Sequence, residues 1–328
     1  MLTINAEIVN HALSFPKLVN ELEQAFASDV TVPPRLHFDM ANPNAARETT
    51  LLIMPAWQAG EVAGVKIVTV APENGDKGLP SIQGSYLLMD VDTGAMIAMM
   101  DAPALTARRT AAASALASRF LSRQDSETLL MIGTGTLSSK LIEAHASVRS
   151  LKTIYVWGRN KAKAEAICQQ VAHLNIDCHA VDDIKGYISK ADIISCATLS
   201  KEPLVLGKWL VPGQHVDMVG SYRPDMREMD DECLTKSRLF VDNFESALRE
   251  TGDMTIPLQQ GVISQEQIEA DLFSLCKKEF VVRRNEQDIT IFKSVGHALE
   301  DLTAAKLVAD FANAKSAAEP ITIEPMIF

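Results

Sequence analysis

Several enzyme classes are excluded by motifs that the sequence lacks. It contains no His-Glu-x-x-His, no Gly-x-Ser-x-Gly and no Walker loop. A zinc protease, an α/β-hydrolase and a P-loop nucleotide hydrolase are therefore not expected. The five cysteines (Cys168, Cys178, Cys196, Cys233, Cys276) are scattered, with no Cys-x-x-Cys. That spacing argues against a metal site and for reduced thiols in a cytoplasmic protein. No apolar run is long enough to span a bilayer. Met1 to Asn20 shows no basic start followed by an apolar block, so no signal peptide is expected. Positive charge is also short. The net charge of -11 disfavours a nucleic-acid partner. There is no internal repeat or low-complexity segment, and the length suffices for two domains with a large core.

What is present centres on Thr128-Leu129-Leu130-Met131-Ile132-Gly133-Thr134-Gly135-Thr136-Leu137-Ser138. An apolar run enters a Gly-x-Gly turn and continues into a helical stretch. Such a turn places free backbone N–H groups at a helix N-terminus, where an anion such as a pyrophosphate is favoured. Taken alone the motif is weak and is shared with ordinary strand–turn–helix units, the more so because Ser138 replaces the third glycine. The unit continues, however. Lys152 to Trp157 reads as a second strand, followed by Gly158-Arg159-Asn160-Lys161 and a helix over Ala162–His173. No acid stands where a carboxylate would take the ribose hydroxyls. Arg159, Asn160 and Lys163 stand there instead, and Gly158 leaves room. A 2′-phosphate suits that set, so NADPH is expected over NADH, with NADH also accepted. Arg159 as a plain solvated turn residue is the competing reading.

Ahead of this unit, Glu7–Ser28 reads as one amphipathic helix and Val32–Phe38 as an extended edge segment. Thr49–Ala56, Val62–Val70, Ser81–Asp90 and Ala95–Met100 read as strands, the last two joined by Asp92-Thr93-Gly94. Lys66 interrupts one of them. A lysine buried in a strand needs an anion nearby. Leu105–Leu121 is an Ala-rich helix carrying Arg108 and Arg109. Beyond the second strand, Ile176–Val181, Asp192–Ala197, Gln214–Val219, Arg238–Asp242 and Ile289–Phe292 are further strands, and Gly296–Ala312 is a closing helix. The fold class is α/β. A Rossmann-like, doubly wound nucleotide-binding domain over 116–297 joins a β-rich α+β domain over 1–115. A C-terminal helix, 298–328, is expected to pack back on the latter.

Six stretches resemble the ornithine cyclodeaminase/μ-crystallin family: Val65-Lys66-Ile67, Gly78-Leu79-Pro80-Ser81-Ile82-Gln83-Gly84, Thr106-Ala107-Arg108-Arg109-Thr110-Ala111-Ala112, Gly133-Thr134-Gly135, Gly220-Ser221-Tyr222-Arg223-Pro224-Asp225, and Phe292-Lys293-Ser294-Val295-Gly296-His297-Ala298-Leu299-Glu300-Asp301. They cover almost the whole chain in the family's order. The resemblance implies a homodimer built through the N-terminal domain. It also places Arg35, Lys66, Ser81 and Arg109 on the positions that hold a substrate α-carboxylate, Lys66 and Arg109 being the catalytic pair. A guanidinium and an ammonium suit a carboxylate chemically. Arg108 reads as a surface or helix-face residue. Cofactor contacts are expected from Gly133, Thr134, Gly135, Thr136, Leu137, Gly158, Arg159, Asn160, Lys163, Thr198, Leu199, Val219, Ser221, Ser294 and Gly296. No metal is expected.

One departure bears on activity. The cyclodeaminases carry an aspartate in the loop after the Gln214–Val219 strand, where this chain has Tyr222. Without that acid, ornithine loses the partner of its second amine. The resemblance therefore implies the reductase-like branch. The expected reaction is NADPH-dependent reduction of the cyclic imino acid Δ1-pyrroline-2-carboxylate to L-proline, with Δ1-piperideine-2-carboxylate to L-pipecolate close behind. The alternatives are an open-chain alanine or N-methylamino-acid dehydrogenase, a cyclodeaminase, and a crystallin-like ligand-binding protein.

Overall fold

The computed structural model describes residues 1–43, 45, 48–278 and 282–318. The chain forms two compact units. Residues 1–18 and 29–109, with the helix from Ala298, make one; residues 19–28 and 110–297 make the other.

The first unit starts with β1 (Leu2–Ile4) and α1 (Ala6–Ala12); α2 (Phe15–Ala27) follows, its residues from 19 onward belonging to the second unit. The single helix expected over Glu7–Ser28 is thus broken. Pro16 has no N–H, and its ring would clash with the carbonyl of Ala12 in a continuous helix. Next come β2 (Leu36–Met40), β3 (Thr49–Trp57), β4 (Val62–Val70), β5 (Ile82–Asp90), β6 (Met96–Asp101) and α3 (Ala102–Leu121). Strands β2 to β6 form an antiparallel meander, and β1 closes its far edge by pairing parallel with β6. Strand β1 is not legible in the sequence, its three residues being too few for a periodic signal.

The second unit holds β7 (Thr128–Ile132), α4 (Ser138–Val148), β8 (Thr153–Trp157), α5 (Lys161–Gln170), β9 (Asp177–Val181), α6 (Lys185–Ile188), β10 (Ile193–Cys196) and β11 (His215–Met218). It continues through α7 (Asp231–Lys236), β12 (Arg238–Val241), α8 (Phe244–Glu250), α9 (Gly252–Gln259), β13 (Ile268–Asp271), α10 (Leu272–Cys276) and β14 (Thr290–Lys293). The eight strands form one parallel sheet in the order β13-β12-β14-β11-β10-β7-β8-β9. The chain reverses direction across the sheet between β7 and β10, the place where a doubly wound fold opens its ligand crevice. Strand β13 was not expected, because Gln265-Glu266-Gln267 before it and Glu269 within it make the stretch read as polar.

The chain ends, as far as it is described, in α11 (Ala298–Ala318), which packs on β3, β4 and β5 of the first unit. Residues 319–328 of the expected closing helix lie outside the described residues. Across the sheet face that α11 covers, Met54, Lys66, Tyr86 and Met100 stand side by side in register. All four are buried.

Candidate functional site

The charged site of the first unit follows from that register. Strand β4 carries Lys66 into an apolar row, and the first turn of α11 brings the missing anion. Asp301 Oδ2 lies 2.8 Å from Lys66 Nζ, and Thr106 Oγ1 is 3.4 Å away. Arg109, at the middle of α3, donates from Nε to Asp301 Oδ1 at 2.9 Å and from Nη1 to Glu300 Oε2 at 2.6 Å. Two buried cations thus face two buried carboxylates. Burial lowers the Lys66 ammonium, and the like charge of Arg109 lowers it further. Asp301 opposes both, and the balance falls at about 8. Burial would raise the Asp301 carboxyl, but Arg109 and Lys66 outweigh it and hold Asp301 below the usual carboxylate range. Tyr86, across from Lys66, is pushed upward by burial and by the Asp301 charge. Gly64 makes room for it, since a β-carbon there would fall 2.1 Å from the Tyr86 hydroxyl oxygen.

Lys66 and Arg109 are therefore brought together, by an acid that sequence reasoning did not assign. Asp301 stood at the end of a quoted stretch, but its role needs α11 laid against β4. Arg35 is half-buried just before β2, and its charge acts on Lys66. Ser81 stands apart, exposed at the entrance to β5 with its carbonyl accepting from Ala71 N at 2.8 Å. Arg108 turns to a different task. It donates to Asn10 Oδ1 at 3.2 Å and lies over the Phe15 ring.

In the second unit the glycine turn has the shape a dinucleotide needs. Gly133 has φ +122°, and a β-carbon there would fall 2.5 Å from the Ala197 carbonyl oxygen. Gly135 opens onto free space. Gly135 and Thr136 are exposed, with Thr134 and Leu137 half-buried beside them. No side chain caps the N-terminus of α4, whose first N–H, on Ser138, bonds back to the Gly135 carbonyl at 3.1 Å. A β-carbon at Gly158 would collide with the Thr134 side chain at 2.5 Å, which holds the two turns close. The residues present fit a dinucleotide pyrophosphate. Arg159 and Lys163 are exposed at the end of β8 and the start of α5. Asn160 is the cap of α5, its side-chain oxygen accepting from Lys163 N at 3.3 Å.

The remaining expected cofactor residues lie on loops held by two buried acids. Glu228 Oε1 accepts from Thr198 N at 2.6 Å and Thr198 Oγ1 at 2.7 Å, and Oε2 accepts from Gly220 N at 2.7 Å and Ser221 N at 2.9 Å. It therefore ties the loop after β10 to the loop after β11, with Val219 buried between strand and loop and Leu199 exposed at the tip. Asp253 accepts from Glu228 N at 2.8 Å and lies 3.3 Å from Lys293 Nζ. Asp242 Oδ2 accepts from Ser294 Oγ, Val295 N and Gly296 N at 3.1, 2.7 and 2.7 Å. The Ser221 hydroxyl is also turned inward, donating to the Met226 carbonyl at 2.8 Å. Ser221 and Ser294 are buried, so these residues shape the loops from within. Neither Glu228 nor Asp242 carried a sequence signal, because their partners are mostly backbone groups. Among the described residues no group of His, Cys, Asp and Glu is placed to hold a metal ion. No described helix is long and apolar enough to cross a membrane.

The family model described as ornithine cyclodeaminase/mu-crystallin family matches residues 1–316. A Δ1-pyrroline-2-carboxylate reductase of Colwellia psychrerythraea is 36% identical over 316 residues, covering 94% of this chain and 99% of the relative. The solved Δ1-pyrroline-2-carboxylate reductase of Thermococcus litoralis, in complex with NADH and L-proline, superposes with a TM-score of 0.91 at 34% identity, over 96% of this chain and 98% of that one. An archaeal alanine dehydrogenase dimer with bound NAD superposes with a TM-score of 0.89 at 28% identity, over 96% and 97%.

Proposed function

The chain belongs to the ornithine cyclodeaminase/mu-crystallin family, and from that premise we propose that it reduces Δ1-pyrroline-2-carboxylate to L-proline with NADPH. The observation that carries the reading is the buried pair Lys66 and Arg109, two cations side by side in a unit with few other buried charges. The reductases named above support it, one of them solved with L-proline. The six-membered imine, Δ1-piperideine-2-carboxylate, differs by one methylene and is a second substrate of the same site.

Arg109 and Lys66 bind the substrate carboxylate, with Arg35 adding charge. Each cation keeps N–H donors beyond those given to Asp301, Glu300 and Thr106. The two carboxylates offset the charge of the two cations and fix them in place. When bound, the dinucleotide supplies the hydride for the C=N carbon. Lys66 serves the imine nitrogen as well, keeping it protonated so that the carbon is electrophilic. Holding the imine in a reactive orientation contributes most of the rate gain. The Gly133–Leu137 turn binds the pyrophosphate. Arg159 and Lys163 bind the 2′-phosphate, which is why NADPH is assigned although the similar structures hold NADH and NAD.

The first unit, residues 1–18 and 29–109 with the helix from Ala298, forms a homodimer. One face of its sheet is apolar and open: Leu36, Phe38, Met40 and Ile67 are all exposed, and edge strand β2 is exposed throughout. Such a patch marks a contact surface, and an open edge needs cover. The free thiols agree with a cytoplasmic setting.

The test is oxidation of NADPH and of NADH in the presence of the five- and six-membered imines, pyruvate with methylamine, and pyruvate with ammonia, with ornithine and NAD in parallel. The expected order places the five-membered imine with NADPH first. Faster turnover of an open-chain imine, or ammonia release from ornithine at a comparable rate, would overturn the assignment. Tight ligand binding without turnover would make the protein a binder instead.

A further inference from the structure

Two cysteines ten positions apart in the sequence meet in the second unit. Cys168 lies in the last turn of α5 and Cys178 near the start of β9, and the Cys178 thiol donates to the Cys168 sulfur at 2.8 Å. Both are partly exposed, whereas Cys196, Cys233 and Cys276 are buried. We propose that Cys168 and Cys178 form a reversible dithiol–disulfide site that staples α5 to edge strand β9.

Three observations converge on the pair. The sulfurs already face each other, so closing the bond needs only a short approach rather than a backbone rearrangement. Strand β9 is the last in its sheet, which leaves this side of the unit open to a small oxidant. The two thiols also differ. The hydrogen bond from Cys178 favours the Cys168 thiolate and lowers its pKa, while the same bond and burial push Cys178 up. Cys168 is therefore the attacking sulfur.

The oxidant is a low-molecular-weight disulfide of the glutathione class. The Cys168 thiolate attacks one of its sulfurs, forming a mixed disulfide and releasing one thiolate. Cys178 then loses its proton and attacks the Cys168 sulfur, releasing the second thiolate. Two protein thiols give up two protons and two electrons, and one small disulfide becomes two thiols. The position of the bond matters. At the other end of the helix, Lys161 Nζ contacts Asp182 Oδ1 just beyond β9, at 2.7 Å. A Cys168–Cys178 bond would fix α5 at both ends. That helix carries Lys163 and is capped by Asn160, so the staple would stiffen the arm assigned to the cofactor's adenosine side.

The test uses the full chain without added cofactor, equilibrated in glutathione buffers from reducing to oxidising, quenched with acid, alkylated and mapped by mass spectrometry. The expected result is an intramolecular Cys168–Cys178 cross-link that grows with the oxidised fraction. Cys196, Cys233 and Cys276 should alkylate only after denaturation. The cross-link should disappear on adding dithiothreitol and be absent from Cys168→Ser and from Cys178→Ser. The oxidised protein should melt higher than the reduced one, on the order of several degrees, a shift absent from both variants. The proposal is overturned if both thiols remain fully alkylatable in the most oxidising buffer, if only glutathione adducts or interchain bonds form, or if oxidation lowers the melting temperature.

Discussion

The ammonium of Lys66 and the carboxylate of Asp301 meet at 2.8 Å where water reaches neither, their side chains being 3% and 0% exposed. A charged lysine survives there because Asp301 opposes both burial and the nearby Arg109 charge. The reading of Lys66 as the group that meets the substrate therefore makes a statement about pH. Its ammonium titrates at about 8, below the ordinary 10.5. The charged form is present below that value and lost above it. We expect kcat/KM for the imine to hold level below pH 8 and fall as pH rises through it. Asp301→Asn removes the one strong influence that raises the Lys66 value, so the fall should begin at lower pH. A pH profile of kcat/KM for both proteins checks this, and identical alkaline limbs would remove Lys66 as the titrating group.

Lys66 and Arg109 should also separate by chemistry. Lys66→Met keeps the apolar stem and deletes the charge, and Arg109→Lys keeps the charge but loses the two-pronged geometry. Each should cost on the order of 2–4 kcal/mol in kcat/KM, roughly thirty- to a thousand-fold. Loss of kcat as well as a raised KM for Lys66→Met would fit a role at the imine nitrogen. A raised KM alone would confine Lys66 to carboxylate binding. Steady-state kinetics and NADPH titration decide. Near-native kcat/KM in both variants would mean that the substrate lies elsewhere.

How far the sequence could lead depended on whether each signal was local. The Gly133–Gly135 turn, the strands around it and the hairpin at Asp92-Thr93-Gly94 are local patterns, and the structure has each in place. Lys66 and Arg109 were legible as types, a charge in a strand and a paired arginine on a helix. Their partner Asp301 lies 192 positions beyond Arg109, and only packing of α11 on the sheet joins them. Pro16 is a helix breaker set inside an otherwise regular apolar pattern, which masks the break. The sulfur pair was hidden for the same kind of reason as Asp301. Ten-residue spacing means nothing until a helix end and a strand start are set side by side.

The apolar outer face of the first unit predicts assembly. Phe38 is 49% exposed on β2, so Phe38→Asp should leave the fold of a single copy intact. A charge placed in a dry interface is costly unless it is paired. Light scattering should find a dimer for the native chain and a shift toward monomer for Phe38→Asp. A native monomer with full activity would contradict the dimer.

Cofactor choice rests on Arg159. It is exposed at the end of β8, in the turn Gly158-Arg159-Asn160, whose own residues include no acid. Arg159→Ala removes a charge-assisted contact to a 2′-phosphate, a group that NADH does not have. The variant should lose about tenfold or more in kcat/KM with NADPH and little with NADH. Equal losses with both cofactors would exclude the phosphate contact.

Glu228 offers the sharpest test of the loop architecture, because one side chain holds both cofactor loops. Its two oxygens accept three backbone N–H groups and the Thr198 hydroxyl. Glu228→Gln keeps the shape but replaces one acceptor with a donor. Wherever that amide turns, it faces N–H groups that can no longer be satisfied. If it faces Gly220 and Ser221, two buried donors lose their partner, at about 1–3 kcal/mol each. The protein should melt lower, and the loops after β10 and β11 should lose their fixed spacing. The cofactor should feel this first. We expect KM for NADPH to rise about tenfold or more while KM for the imine changes less. Glu228→Asp retains both acceptors on a shorter stem and should recover part of the loss. Lower melting with unchanged NADPH affinity would reduce Glu228 to a role in folding alone.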